Sequence, residues 1–77
     1  MRFRSIDGLK TGEKGRICCL LSEGGMKRRL LDLGFCENTV VSCVGCSPLG
    51  DPKAYLVRGA VIAVRKKDGA KIFVREE

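Results

Sequence analysis

The chain has 77 residues, 44% of them hydrophobic, with a formal net charge of +6 and no histidine. This length allows one domain with a small core, so we expect residues 1–77 to form a single domain. The apolar content excludes a disordered chain. The lack of histidine removes the usual acid–base partner of a serine or cysteine nucleophile, so we expect no enzyme activity.

No segment of the sequence predicts a secretory signal or a membrane span. Residues 1–10 carry basic side chains but lack the apolar stretch that follows in a signal peptide. The longest aliphatic runs, ICCLL and VIAV, are far shorter than the ~20 residues needed to cross a bilayer. We therefore expect a cytoplasmic protein without direct membrane insertion.

The first predicted element is a strand over residues 15–22, GRICCLLS, which contains the adjacent thiols Cys18 and Cys19. Successive side chains of a strand point to opposite faces of the sheet. The two thiols are therefore predicted to point apart, which excludes a shared metal ion.

The second element is a helix over residues 26–33. Met26, Leu30 and Leu33 recur at the spacing of one helical face, while Arg28 and Arg29 face away from that stripe. Gly34 follows where a helix commonly ends in a left-handed residue. We expect a short helix that covers one end of a barrel.

The next predicted strand, residues 38–47, carries Cys43 and Cys46. Their odd separation predicts opposite faces, so we expect packing residues and no bound metal or cofactor. A zinc knuckle would place its C-x-x-C pair on a tight turn and add a second pair of ligands. A transition-metal site at Cys43 and Cys46 remains the alternative hypothesis.

The loop SPLGDP follows this strand. Its two prolines restrict the backbone, and Leu49 between them forms a pre-organised apolar contact point. We interpret Leu49 and Asp51 on this loop, together with Arg28 and Arg29 on the helix, as candidate partner-binding residues.

The remaining alternating segments, residues 53–58, 60–66 and 71–75, predict three more strands. Short strands at regular intervals predict a mainly β fold, a small closed five-stranded barrel with one short α-helix. Basic clusters at residues 27–29 and 65–67 suit a solvated surface or an acidic protein partner. A nucleic-acid-binding barrel is a further alternative, although it is disfavoured because no aromatic side chain interleaves with the basic runs.

The segments RRLLDLGF, SPLGDP, VRG and AVR together resemble the FeoA family of bacterial ferrous iron transport, over almost the whole chain. The resemblance implies an SH3-like barrel and a non-enzymatic accessory protein that binds FeoB, the GTPase-bearing membrane permease for Fe(II). Glu37 and Asn38 replace the Pro-Gly that is usual in the family, and asparagine also tolerates the left-handed conformation. The five cysteines are not part of the family pattern.

Overall fold

The computed structural model describes residues 3–76 of the chain. Six strands and two helices follow one another as β1 (Phe3–Ser5), β2 (Lys14–Leu20), α1 (Gly24–Asp32), β3 (Val40–Cys46), β4 (Lys53–Val57), β5 (Ala60–Val64), α2 (Lys66–Gly69) and β6 (Ile72–Glu76). A 3-10 turn, Ile6–Gly8, follows β1. The strands form one antiparallel sheet in the order β1-β6-β2-β3-β4-β5.

The mainly β architecture is confirmed, but two elements differ from the prediction. The described residues contain a sixth strand, β1, which is only three residues long and is paired to β6. The predicted strand 60–66 ends at Val64, and α2 begins at Lys66. The other predicted strands agree to within two residues at each end.

The predicted closure of the sheet is wrong for the described part of the chain. The ladder of hydrogen-bonded strands has two ends, β1 and β5, which are not paired with each other. The sheet therefore curves around its core without removing the outer edge of β5, and this edge matters for the surface described below.

Apolar side chains from the strands, from α1 and from the connecting segments fill the interior. Tyr55 lies among them, and its hydroxyl donates a hydrogen bond of 3.0 Å to the carbonyl oxygen of Ile6. Burial raises the pKa of Tyr55 above its ordinary value, so the phenol stays neutral and remains a donor. The buried hydrophobic side chains are Ile6, Leu9, Ile17, Leu30, Phe35, Val41, Cys43, Tyr55, Val57, Val64, Ile72 and Val74.

Helix α1 begins two residues before its predicted start and ends as expected at a glycine, since Gly34 has a φ of +107°. The apolar stripe is only partly covered. Leu30 is buried, whereas Met26 and Leu33 remain more than a third exposed. The helix therefore inserts one side chain into the core and leaves an apolar flank in contact with solvent.

Left-handed residues occur in several turns of the described chain, and two of them bear on the predictions and on the sheet. Asn38 has a φ of +71°, as expected from its place in the sequence. Arg58 and Gly59 have φ values of +49° and +82° between β4 and β5. Two consecutive positive φ angles are typical of the tight hairpin turn that matches the twist of antiparallel strands. This turn places β5 beside β4, and β5 thereby forms one end of the sheet.

Neither helix of the described residues has the length and apolar composition required to cross a bilayer.

Candidate partner-binding surface

An apolar groove lies between α1 and β5. Four residues from the helix region, four from β5, and also Arg65 and Asp68 line it; the lining residues are Met26, Arg29, Leu30, Leu33, Val61, Ile62, Ala63, Val64, Arg65 and Asp68. Val61 is 64% exposed. We call this feature the α1–β5 groove.

The groove adjoins the free edge of β5. Within residues 3–76, β5 pairs with β4 on one side, and the sheet ends on the other. A strand at the end of a sheet presents unpaired backbone N–H and C=O groups, which can pair with an extended segment of another protein. The surface therefore combines apolar side chains with backbone donors and acceptors.

Basic side chains border this surface. Arg65, Lys66 and Lys67 are exposed and line a second hollow together with Asp51 and Ala70, which we call the basic recess. Arg65 lines both hollows, so the α1–β5 groove and the basic recess are contiguous. Clustered cations of this kind attract an acidic surface and steer its approach.

The loop of residues 47–52 is held by its own hydrogen bonds. The hydroxyl of Ser47 donates to the carbonyl oxygen of Asp51 at 2.7 Å and accepts from the amide of Asp51 at 3.1 Å. The amides of Ser47 and Gly50 donate to the carbonyl oxygens of Pro52 and Ser47. Leu49, at 93% exposure, stands on this ordered loop. The predicted apolar contact point is therefore fully presented to solvent.

Asp51 has a structural contact besides its predicted role. Its Oδ1 accepts a hydrogen bond of 2.8 Å from the amide of Lys66, the first residue of α2. This bond satisfies one of the free amides at the start of the helix and ties the 47–52 loop to the basic recess. A substitution at Asp51 will therefore disturb α2 as well as the surface.

The structure brings only some of the predicted residues together. Arg29 lines the α1–β5 groove, and Asp51 lines the basic recess. Arg28 and Leu49 are exposed but line neither hollow. Val61 and Arg65 were not among the predicted residues. The basic run at 65–67 was a usable signal for Arg65, whereas only the strand order reveals that Val61 lies at a free edge.

The prediction that Cys43 and Cys46 point to opposite faces of the sheet is wrong. A bulge between Cys43 and Gly45 shifts the register of β3 by one residue, so that Cys43 pairs with Tyr55 and Cys46 with Lys53. Tyr55 and Lys53 are two residues apart and share one face of β4, so the bulge returns Cys46 to the same face as Cys43. Their environments nevertheless differ, since Cys43 is buried and Cys46 is exposed.

Across residues 3–76, no three side chains of the types Cys, Asp and Glu converge in a way that could hold a metal ion. Cys43 donates a weak hydrogen bond to the carbonyl oxygen of Gly45 at 3.6 Å. A metal site at Cys43 and Cys46 stays an untested alternative.

Comparison with known proteins identifies the family of the chain. The model of the FeoA domain matches residues 4–76. A relative from Porphyromonas gingivalis (strain W83), named Fe(2+) transport protein A/Fe(2+) transporter FeoB fusion protein, is 33% identical over 69 residues. That match covers 90% of this chain but only 8% of the relative's length.

Solved structures share the fold. Iron(II) transport protein A of Clostridium thermocellum aligns with a TM-score of 0.90 and 28% identity, over 94% of this chain and 44% of the other. The zinc complex of FeoA from Stenotrophomonas maltophilia, a prokaryotic SH3 domain protein, aligns with a TM-score of 0.81 and 23% identity, over 92% and 88% of the two chains. The expected SH3-like fold is thereby confirmed, and the chain belongs to the FeoA domain family.

Proposed function

We propose that this chain is a non-enzymatic accessory protein of ferrous iron transport that binds the cytoplasmic, GTPase-bearing part of a FeoB permease. The observation that carries the proposal is the P. gingivalis fusion protein, whose name joins Fe(2+) transport protein A and FeoB in one polypeptide. Joining two segments in one chain keeps each at a high effective concentration near the other. A chain that is similar to part of that polypeptide is therefore expected to associate with a FeoB-like protein.

The proposed contact surface consists of the α1–β5 groove, the basic recess and the 47–52 loop. The groove supplies exposed apolar area at Val61 and the free backbone edge of β5. Leu49 supplies an apolar side chain on a loop that is already ordered, so little conformational entropy is lost when it binds. The cations beside the groove match a partner with an acidic surface.

No catalytic step is assigned to the chain. The FeoA domain is a small transport-associated domain and is not a known enzyme family. Fe(II) is the ion that the proposed partner transports, and we assign this chain no cofactor. A cytoplasmic location is part of the same proposal, because the GTPase-bearing part of the permease faces the cytoplasm.

The experiment measures binding of the purified chain to the isolated cytoplasmic part of FeoB from the same cells. Val61→Lys places a charge in the α1–β5 groove and is expected to weaken binding. Val44→Lys is the matched control, because Val44 is an exposed valine on β3 that does not line the groove. Circular dichroism verifies that both variants are folded.

Absence of binding by the wild-type chain would overturn the proposed function. Equal weakening by the two substitutions would retain the partner but reject the α1–β5 groove as the contact surface.

A further inference from the structure

A second bulge brings the adjacent thiols of β2 to one side of the sheet. Opposite β6, Ile17 pairs with Val74 and Cys19 pairs with Phe73, so Cys18 is the extra residue of the bulge. In a regular strand, neighbouring side chains point to opposite faces, but a bulge re-aims the side chain of the extra residue. The prediction that Cys18 and Cys19 point apart is therefore wrong.

Both thiols line one shallow recess on the outer face, together with the rings of Phe3 and Phe73. The thiol of Cys18 is half-buried and donates a hydrogen bond of 3.2 Å to the carbonyl oxygen of Phe73, while Cys19 is exposed. The recess is thus a pair of sulfur atoms beside two aromatic rings, open to solvent on the side of Cys19.

Both sulfur atoms lie at the same recess, so one cation placed there could bind both of them. Thiols bind metal ions as thiolates, and the cation would offset the two negative charges that deprotonation leaves.

The number and type of the ligands at the recess determine which metal ions it suits. Zinc in structural sites takes four ligands, and no group of three Cys, Asp or Glu side chains suited to a metal exists in the described part of the chain. Soft thiolate ligands favour soft ions such as Cu(I). Arg75 lies directly opposite Phe3 in the sheet, on the same face of β6 as Phe73, where its positive charge would offset an anionic bis-thiolate complex.

We propose that Cys18 and Cys19 form a dithiol site for a soft, thiophilic monovalent cation, with Cu(I) as the representative ion. Binding breaks two S–H bonds, forms two S–Cu bonds and releases two protons to solvent, with no change in oxidation state. The site is separate from the α1–β5 groove and does not depend on the proposed function.

The test titrates the reduced 77-residue chain with Cu(I) under anaerobic conditions, in competition with a chromogenic Cu(I) chelator. The wild-type chain is expected to retain one Cu(I). Cys18→Ser and Cys19→Ser are each expected to weaken retention by at least about tenfold, because loss of a direct ligand should cost no less than loss of a group that merely orients one. Cys46→Ser is the matched control, since it removes an exposed thiol that does not line the recess.

Release of protons, measured in weakly buffered solution, gives an independent readout of thiol deprotonation. The Cys19→Ser variant keeps the experiment decisive even if Cys18→Ser unfolds, because Cys19 is exposed. Retention by both variants equal to that of the wild-type chain would overturn the proposal. Loss of retention in Cys46→Ser alone would also overturn it and would move the site to Cys43 and Cys46.

Discussion

Gly15 lies in β2 where the strand packs closely against β6. A Cβ atom added at Gly15 would stand 2.7 Å from Cγ2 of Val74 and 3.1 Å from the carbonyl oxygen of Arg75. Val74 is fully buried, and close-packed interiors leave little room for a side chain to move aside. The absence of a side chain at Gly15 is therefore a packing requirement of the sheet.

Gly15→Ala is expected to lower the free energy of unfolding by about 1–3 kcal/mol, the usual cost of overpacking. Gly45→Ala is the matched control, because Gly45 also lies in a strand but its added Cβ would meet nothing within 4 Å. Its effect is expected to stay within about 0.5 kcal/mol. Urea denaturation of both variants measures the difference, and equal values for the two would contradict the packing argument.

Glu13 holds the segment between β1 and β2. Its carboxylate accepts a hydrogen bond of 2.7 Å from the amide of Lys10 and another of 2.8 Å from Nη2 of Arg4. The bond from Lys10 is the larger cause, and with Arg4 it lowers the pKa of Glu13 below its ordinary value of 4.5. A lowered carboxyl pKa in the folded state stabilises the protein above the unfolded-state pKa.

This contribution is therefore complete above pH 4.5 and is lost as the pH falls through the lowered pKa of Glu13. Glu13→Gln removes the charge, so wild type and variant are expected to differ most in stability near neutral pH. The difference is expected to vanish in stronger acid. Unfolding curves recorded across this range test the sign, and a gap that widens on acidification would reject the assignment.

The alternation of apolar and polar residues in the sequence was sufficient to predict the long strands. Segments such as Lys53–Val57 alternate because one face packs on the core, and that alternation is visible before folding. Strand β1 was not predicted, because a strand of three residues is too short to show a clear alternation of apolar and polar side chains. Helix α2 was missed because its start depends on the hydrogen bond from the amide of Lys66 to Asp51, fifteen residues earlier.

The bulges in β2 and β3 explain why the candidate sulfur sites could not be predicted. Each bulge inserts one residue and reverses the alternation beyond it, and nothing in the local composition marks where this happens. The exposure of Leu49 and the left-handed turn at Asn38 were predictable, since both follow from local backbone restrictions. The α1–β5 groove was not predictable, because it depends on the order of the strands, which places β5 at one end of the sheet.

Helix α1 forms one wall of the groove, and Leu30 is its buried anchor at 3% exposure. Leu30→Ala is expected to lower the free energy of unfolding by about 2–5 kcal/mol, as for other buried leucines. Leu31→Ala is the matched control, since Leu31 is the adjacent leucine of α1 but is exposed. Its loss is expected to be clearly smaller, and hydrogen exchange of the α1 amides shows whether the helix has been released.

Similar losses from the two leucine variants would mean that α1 is held by contacts distributed along its length and not by Leu30.

Charge and shape act on different stages of association. The chain carries a net charge of +6, and part of this charge is concentrated on α1 and the basic recess. Long-range attraction of an acidic partner raises the association rate and is screened over roughly 8 Å at physiological ionic strength. Apolar contacts act only after docking and therefore control dissociation.

Two variants separate these effects in binding to the cytoplasmic part of FeoB. Arg28→Glu reverses an exposed charge on α1 and is expected mainly to slow association at low salt, with the effect fading as salt is added. Leu49→Ala removes an exposed apolar side chain from an ordered loop and is expected to raise the dissociation rate with little dependence on salt.

Lys14→Glu is the control for total charge, because Lys14 is an exposed lysine of β2 that lines neither hollow. An association rate slowed equally by Arg28→Glu and Lys14→Glu would show that net charge alone steers the encounter. A dissociation rate of Leu49→Ala equal to that of the wild type would place the apolar contact elsewhere on the protein.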